Sequence, residues 1–308
     1  MRNAFLDTLY ELALKDPRIN LIVGDLGFSV VERFARNMPL QFLNAGIAEQ
    51  NMTGVAAGMA LSGKKVFTYS IGNFPTMRCL EQVRNDVCYH NADVKIVSIG
   101  AGFSYGTLGM SHHATEDIAV MRALPGMRVI VPADPAETAA ATEKLVLEDG
   151  PCYLRLGKAG EPRLHEGPID FTIGRAITMR EGKDVCIIGA GAILKVCLEA
   201  AKELSGAGIS ARVVSMHTIK PLDTETLRRA VSETKAVITV EEHNVLGGLG
   251  GAVAEFLVTS GLPLVPVSIL GIRDSFCRKA GKQEYLRAVC GISASDVAAN
   301  AKRLLERR

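Results

Sequence analysis

Apolar positions along the chain fall into two alternating kinds of segment. Short continuous runs, rich in β-branched residues and ending abruptly in polar ones, predict strands: INLIVGDL, KKVFTYSI, DVKIVSIG, MRVIVPA and CYLRLG. Between them lie stretches with helical periodicity: GIAEQNMTGVAAGMALSG, TMRCLEQVRNDVCYHN, HATEDIAVMRAL and DPAETAAATEKLVLED. The last opens with Asp134 placed as an N-cap, Pro135 at the first helical position and Glu137 at the third. Strand and helix in strict alternation imply a mostly parallel sheet covered by helices.

The rhythm breaks at residues 159–173, AGEPRLHEGPIDFTI, where proline, glycine and mixed charge replace any period. A second alternating unit follows. Its predicted strands are DVCIIGAG, ISARVVSMH, AVITVEEH and LVPVSIL, and its predicted helices AILKVCLEAAKELSGAG, DTETLRRAVSET, LGGAVAEFLVTSG and SASDVAANAKRLLERR. The expected architecture is α/β, with two tandem domains, each a mostly parallel sheet covered by helices. The expected boundaries are residues 1–160 for the first domain, 161–182 for the linker and entry to the second, and 183–308 for the second.

Composition narrows the class without changing this outline. At 48% hydrophobic, 22% charged and a formal net charge of +2, the chain is an ordinary globular protein with no electrostatic case for nucleic acid. No apolar stretch approaches the roughly 18–20 residues of a membrane span. The opening MRNAFLDTLYELALKD reads as an amphipathic helix, because acids interrupt it where a signal peptide would be apolar. Seven cysteines run from Cys79 to Cys290 without a CxxC, as in a reducing compartment, so a cytoplasmic location is expected.

In open α/β sheets function collects at the carboxyl ends of the strands. Three segments stand there: GDLG, NAGIAEQN, and the long glycine-rich GAGFSYGTLGMSHHATED. Glu49 opens a helix of small and apolar residues. Burial of an unpaired carboxyl disfavours its charge, which suits it to sharing a proton, whereas a Glu in a first helical turn also simply favours the helix dipole. The adjacent His112 and His113 point apart and lack further ligands at zinc spacing, so no metal site is expected; one of them could face a cleft as an acid–base group. Glu116, four residues after His112, could meet it on one helical face. In the second domain EEHNVLGGLGG superficially suggests a phosphate cradle but lacks its spacing, and close helix–strand packing is the better explanation of the glycines. No G-x-S-x-G elbow is present, and no G-D-G followed by the asparagine of a metal–diphosphate anchor.

Taken in order, the opening R-N-A, V-G-D-L, N-A-G-I-A-E-Q-N, E-Q-V-R-N-D-V, G-M-S-H-H-A-T-E-D, L-P-G-M-R-V-I-V-P-A-D, G-P-C-Y-L-R-L-G-K, M-H-T-I-K-P-L-D and E-E-H-N-V-L-G-G make the chain similar, nearly end to end, to the C-terminal half of transketolase. Relatives are deoxyxylulose-phosphate synthase and the β subunit of 2-oxoacid dehydrogenases. The resemblance implies that the first domain binds the aminopyrimidine of thiamine diphosphate and that the second builds the assembly. The diphosphate and its Mg2+ (or Ca2+) are held in that family by an N-terminal domain, expected here on a separate partner subunit. A homodimeric core flanked by two partners, α2β2, would then form the sites between chains.

By the same resemblance Glu49 is the cofactor-activating acid, hydrogen-bonded to the pyrimidine ring. Ile47 and Phe74 line the cofactor, Phe74 by stacking. His112 faces the sugar and helps move its proton, with His113 beside it. Lys158 and Arg2 hold an anionic substrate group, with Arg155 as a further candidate cation. Leu108 stands where transketolase reads a sugar hydroxyl with Asp, and Val23 and Gly100 stand at the family's polar phosphate positions. A site stripped of hydrogen-bonding groups discriminates differently, which points to a modified, branched or sulfonated sugar. The expected reaction is transfer of a two-carbon ketol unit from a ketose to an aldose. A 2-oxoacid dehydrogenase β subunit and a non-catalytic subunit of the same fold are the alternatives.

Overall fold

The computed structural model describes residues 1–263 and 265–306; Leu264, in the predicted LVPVSIL strand, and the last two residues of the C-terminal helix pattern lie outside them. The strands are β1 Ile19–Val23, β2 Phe42–Asn44, β3 Lys65–Ile71, β4 Val94–Ile99, β5 Arg128–Ile130, β6 Cys152–Leu156, β7 Ile177–Arg180, β8 Val185–Ala190, β9 Ala211–Ser215, β10 Thr218–Lys220, β11 Val237–Asn244 and β12 Val267–Ile272. The helices are α1 Arg2–Ala13, α2 Glu32–Asn37, α3 Glu49–Leu61, the single turn α4 Leu80–Gln82, α5 Asp117–Ala123, α6 Pro135–Leu147, α7 Leu194–Gly206, α8 Thr224–Glu233, α9 Leu249–Thr259, α10 Gln283–Val289 and α11 Ala294–Glu306.

The strands form two sheets. The first has the order β10-β5-β6-β4-β3-β1-β2 and is parallel except for β10; the second has the order β12-β11-β8-β9-β7 and is parallel except for β7. Strands β1, β4 and β6 are buried on both faces, as their continuous apolar runs require of a sheet covered on both sides. Helix α1 turns Phe5, Leu6, Leu9, Tyr10 and Ala13 onto one face of the first sheet, where each large apolar side chain contributes about 1.5–3 kcal/mol. The opposite face packs with α3 into a core that continues through Cys186, Ile188, Val214 and Leu249 of the second sheet. The two domains therefore share one interior.

Antiparallel β10 comes from the second half of the sequence yet closes the edge of the first sheet, pairing with β5. Helix α6 starts where its residues predict: the Asp134 carboxylate accepts the Glu137 N–H at 2.8 Å, with Pro135 following. Two helix expectations are corrected. TMRCLEQVRNDVCYHN is not one helix but a 3-10 turn at Met77–Cys79, the turn α4 and a π-helical segment at Val83–Cys88. HATEDIAVMRAL becomes helical only at Asp117, because residues before it are drawn into cross-links: Ala114 bridges Gly102, and the Asn244 N–H bonds the Thr115 carbonyl at 2.7 Å. His112 and Glu116 therefore do not share a helical face.

Candidate functional site

The turns leading out of β1 and β2 are tied together. Asn44 accepts the N–H groups of Asp25 and Gly46 and donates to the Asp25 carboxylate at 2.9 Å. This fixes the entry to α3, whose first residue is Glu49. Glu49 is only 2% exposed. Its Oε1 accepts the Ser70 hydroxyl at 3.2 Å, from the carboxyl end of β3, and its Oε2 accepts Arg78 Nη1 at 2.9 Å. The acid is thus paired, but by a residue that is 46% exposed at its side chain. Arg78 also lays its guanidinium over the Phe74 ring, 4.4 Å from the centroid. One planar cation therefore makes the two contacts, a hydrogen bond to Glu49 and a stack on Phe74, that a flat heteroaromatic ring would need there.

From Phe74 a row of side chains leads across the sheet end. The His112 ring stands edge-on to Phe74 at 5.5 Å and to Tyr105 at 6.3 Å, and its Nδ1 meets the Ser111 hydroxyl at 3.0 Å. Among the described residues His112 Nε2 makes no hydrogen bond. Lys158 Nζ lies 5.0 Å from the Tyr105 centroid. The Arg2 backbone N–H donates to the Lys158 carbonyl at 3.3 Å, so the main chains of the two residues are joined. Glu49, Phe74, His112, Lys158 and Arg2 form a continuous row along the carboxyl ends of the first sheet. Leu108, in a 3-10 turn, and Ile47, before α3, are 55% and 79% exposed; the Leu108 N–H donates to the Tyr105 carbonyl at 2.9 Å. Val23 and Gly100 are buried.

Two expected site residues are placed elsewhere. His113 turns inward: it is buried, edge-on to Phe103 at 5.0 Å, with Nε2 3.4 Å from the Gly106 carbonyl. Arg155 is no solvent-facing cation. It is buried on β6, donating to the Asp117 carboxylate at 2.7 Å and to the carbonyls of Ala114 and Glu242 at 2.7 and 3.1 Å. Burial works against the Asp117 charge, but Arg155, His243 and the Tyr153 hydroxyl together outweigh it and hold the carboxyl below its usual range. The Arg155 Nε and Nη2 donors are committed inside the protein, and the side chain is only 2% exposed.

Arg155 is instead part of a clamp. The carboxyl end of β11 meets the glycine-rich loop from below: the Glu242 carboxylate accepts the Phe103 N–H, Arg287 Nε and Gln283 Nε2, while His243 Nε2 accepts the Ala119 N–H at 3.3 Å. The EEHN segment thus anchors the loop that carries His112. The glycines after it serve close packing. A Cβ on Gly248 would come within 2.8 Å of the Glu241 carboxyl carbon, and the Leu249 and Gly250 N–H groups donate to Glu241 at 2.7 and 2.8 Å. An internal carboxylate fills the cradle that a phosphate would need. Desolvation pushes the Glu241 pKa up to about 7.

Sequence reasoning missed Arg78, Ser70 and Tyr105. Each is recognisable only through a partner distant in sequence. Among the described residues, no group of three or more His, Cys, Asp or Glu is placed to hold a metal ion, and no helix is long and apolar enough to cross a membrane.

Residues 1–160 match the family model of the transketolase pyrimidine-binding domain, and residues 174–297 that of the transketolase C-terminal domain. The chain is 40% identical over 100% of its length to the 6-deoxy-6-sulfo-D-fructose transketolase subunit of Clostridium sp. (strain MSTE9), covering 95% of that protein. It is 43% identical over 89% of its length to an apulose-4-phosphate transketolase subunit of Phocaeicola vulgatus, covering 87% of it. Among solved structures, a split-gene transketolase described as an inactive β4 tetramer superposes with a TM-score of 0.89 at 42% identity, covering 99% of this chain and 97% of that one. The transketolase of Campylobacter jejuni shares the fold, with a TM-score of 0.82 at 21% identity, and 46% of its length is covered.

Proposed function

The chain belongs to the transketolase family, and from that premise we propose that it is the pyrimidine-binding subunit of a two-component transketolase, active with a partner that holds the diphosphate and its Mg2+ (or Ca2+). Ketol transfer fits this family better than acyl transfer to lipoamide. The observation that carries the reading is the buried Glu49 carboxylate, opposed by a single half-exposed cation that also covers Phe74. Ring and carboxylate together fit an aminopyrimidine: one aromatic face to stack on and one acceptor for a ring N–H.

Thiamine diphosphate, when bound, supplies the nucleophilic carbon and carries the two-carbon unit. Glu49 shares a proton through Oε2 once Arg78 has released that oxygen, and Ser70 keeps the carboxyl oriented through Oε1. Phe74 stacks the ring, and Ile47 on its exposed turn lines the same cofactor. His112, with Nδ1 engaged by Ser111, offers Nε2 to a sugar hydroxyl and moves its proton. Leu108 lines the sugar's path without a hydrogen bond. Lys158 and Arg2 receive an anionic end group. Relatives named for a sulfonated ketose and for apulose 4-phosphate support an altered sugar in place of the ordinary pentose-phosphate pair.

Leu43 of β2, Ile47 before α3 and Leu61 at its end are exposed apolar residues that contacts with other chains would cover. They support a homodimeric core flanked by two partner subunits. By analogy with the inactive tetramer of its structural neighbour, the isolated chain is expected to transfer no ketol unit. Mixing it with the partner, Mg2+ and thiamine diphosphate, and screening ketose donors by mass spectrometry, tests the reading. Product from the mixture and none from the chain alone supports it; turnover by the chain alone refutes it.

A further inference from the structure

Tyr105 stands in the middle of the row between His112 and the two cations, and its sequence neighbourhood gave it no role. Its ring sits directly on the backbone of Gly100. A Cβ at Gly100 would approach Tyr105 Cε2 to 2.5 Å, and Gly100 has φ +98°, which L side chains rarely adopt. Only a glycine lets the ring occupy this place. The ring is half-buried, and its hydroxyl makes no hydrogen bond among the described residues.

Two cations stand near the ring. Neither Lys158 nor Arg2 has a carboxylate within ion-pair distance among the described residues. The nearby acid, Glu161, is already engaged: it accepts the α-amine of Met1 at 3.0 Å and the Lys158 N–H at 2.5 Å. Lys158 lies over the phenol ring at 5.0 Å and His112 stands edge-on to it at 6.3 Å; the Arg2 charge acts on the phenol against the effect of burial, and the Glu161 charge acts with burial. A neutral O–H donor between two unpaired cations is complementary to a tetrahedral oxyanion, whose several oxygens take one donor each.

We infer that Tyr105 is a specificity-determining residue: its hydroxyl donates a hydrogen bond to the anionic end group of the sugar substrate held by Lys158 and Arg2, and the bare backbone of Gly100 is what admits its ring. This rests on the ketol-transfer reading for the identity of the ligand, but not for the anion site itself. Phosphate monoester and sulfonate share the required chemistry.

The test has two arms, both on the chain assembled with its partner and saturated with thiamine diphosphate. In the first, inorganic phosphate and methanesulfonate are titrated calorimetrically into the native and Tyr105→Phe assemblies. Loss of one hydrogen bond to a charged group weakens anion binding by about ten-fold or more. A preference for phosphate over methanesulfonate identifies a phosphate monoester as the natural end group, and equal or reversed affinity a sulfonate. In the second, KM and kcat are compared for D-fructose 6-phosphate, 6-deoxy-6-sulfo-D-fructose and uncharged D-fructose. Tyr105→Phe is expected to raise KM for the anionic donors about ten-fold, with kcat at saturation and kcat/KM for D-fructose nearly unchanged. Gly100→Ala should reproduce the pattern by unseating the ring; if it melts early, Tyr105→Phe, which keeps the shape, decides. Equal anion affinity in native and Tyr105→Phe assemblies, or no anion binding by the native one, overturns the inference. Anion binding that depends on Tyr105, in an assembly that transfers no ketol unit from any donor, upholds the site and refutes the ketol-transfer reading instead.

Discussion

Each domain buries a glutamate near the start of a helix: Glu49 opens α3, and Glu241 lies within β11 beneath the first turn of α9. Glu241 in the second domain is closed off. Two N–H groups from the start of α9 satisfy its carboxylate, and glycines bring that helix so near that no ligand could enter. Glu49 in the first domain is left addressable. It has one fixed partner, the Ser70 hydroxyl, and one removable partner, the half-exposed Arg78. Both carboxyls are desolvated; only one can exchange its partner for something from outside. Burial is common to both; what separates them is the exposure of the group that neutralises each acid.

The comparison is broken most severely by activity. In the assembly with its partner, Glu49→Ala should lower ketol transfer by on the order of 10²–10⁴-fold, while Glu241→Gln stays within a few-fold of native; equal losses would erase the distinction. Next comes the clamp beneath the His112 loop. Arg155→Ala leaves Asp117 as a buried unpaired charge and should cost about 3–5 kcal/mol in denaturant unfolding. A substrate-binding arginine would instead raise KM at unchanged stability, which would restore the role that the sequence first suggested.

A smaller effect concerns pH. The folded pKa of Glu241 is raised to about 7 by desolvation, in the company of His243 at 3.7 Å and the more distant charges of Arg155 and Arg122. The folded state therefore holds this proton more tightly than the unfolded one. Its stabilising share is full below the ordinary Glu value of 4.5 and is lost as pH rises through about 7. Glu241→Gln, which cannot ionise, should flatten the decline in unfolding free energy over that window by on the order of 2 kcal/mol. An unchanged slope would mean that Glu241 ionises as freely as an exposed acid.

Much of this was legible in the sequence because it is local. The continuous apolar runs gave the buried parallel strands, the Asp134–Pro135–Glu137 pattern gave the start of α6, and glycines next to EEHN were rightly suspected of close packing. The ordered motifs carried the family. What escaped depends on contacts between distant residues. Strand β10 is short and joins the other domain's sheet, and β2 and β7 are edge strands with little apolar signal. The helix expected from His113 was shortened by a bridge to Gly102. Arg155 looked available because nothing nearby in sequence shows that Asp117 and β11 enclose it. Arg78 and Tyr105 gained meaning only from Glu49 and Gly100, their partners in space.

The central claim is that Glu49, and no other buried acid, activates the cofactor bound between chains. Hydrogen–deuterium exchange at the reactive C2 position of thiamine diphosphate, measured by quenched-flow NMR in the assembled enzyme without any sugar, tests it most directly. Glu49→Gln should exchange no faster than the free cofactor while Glu241→Gln exchanges like the native assembly; rapid exchange in Glu49→Gln would contradict the account.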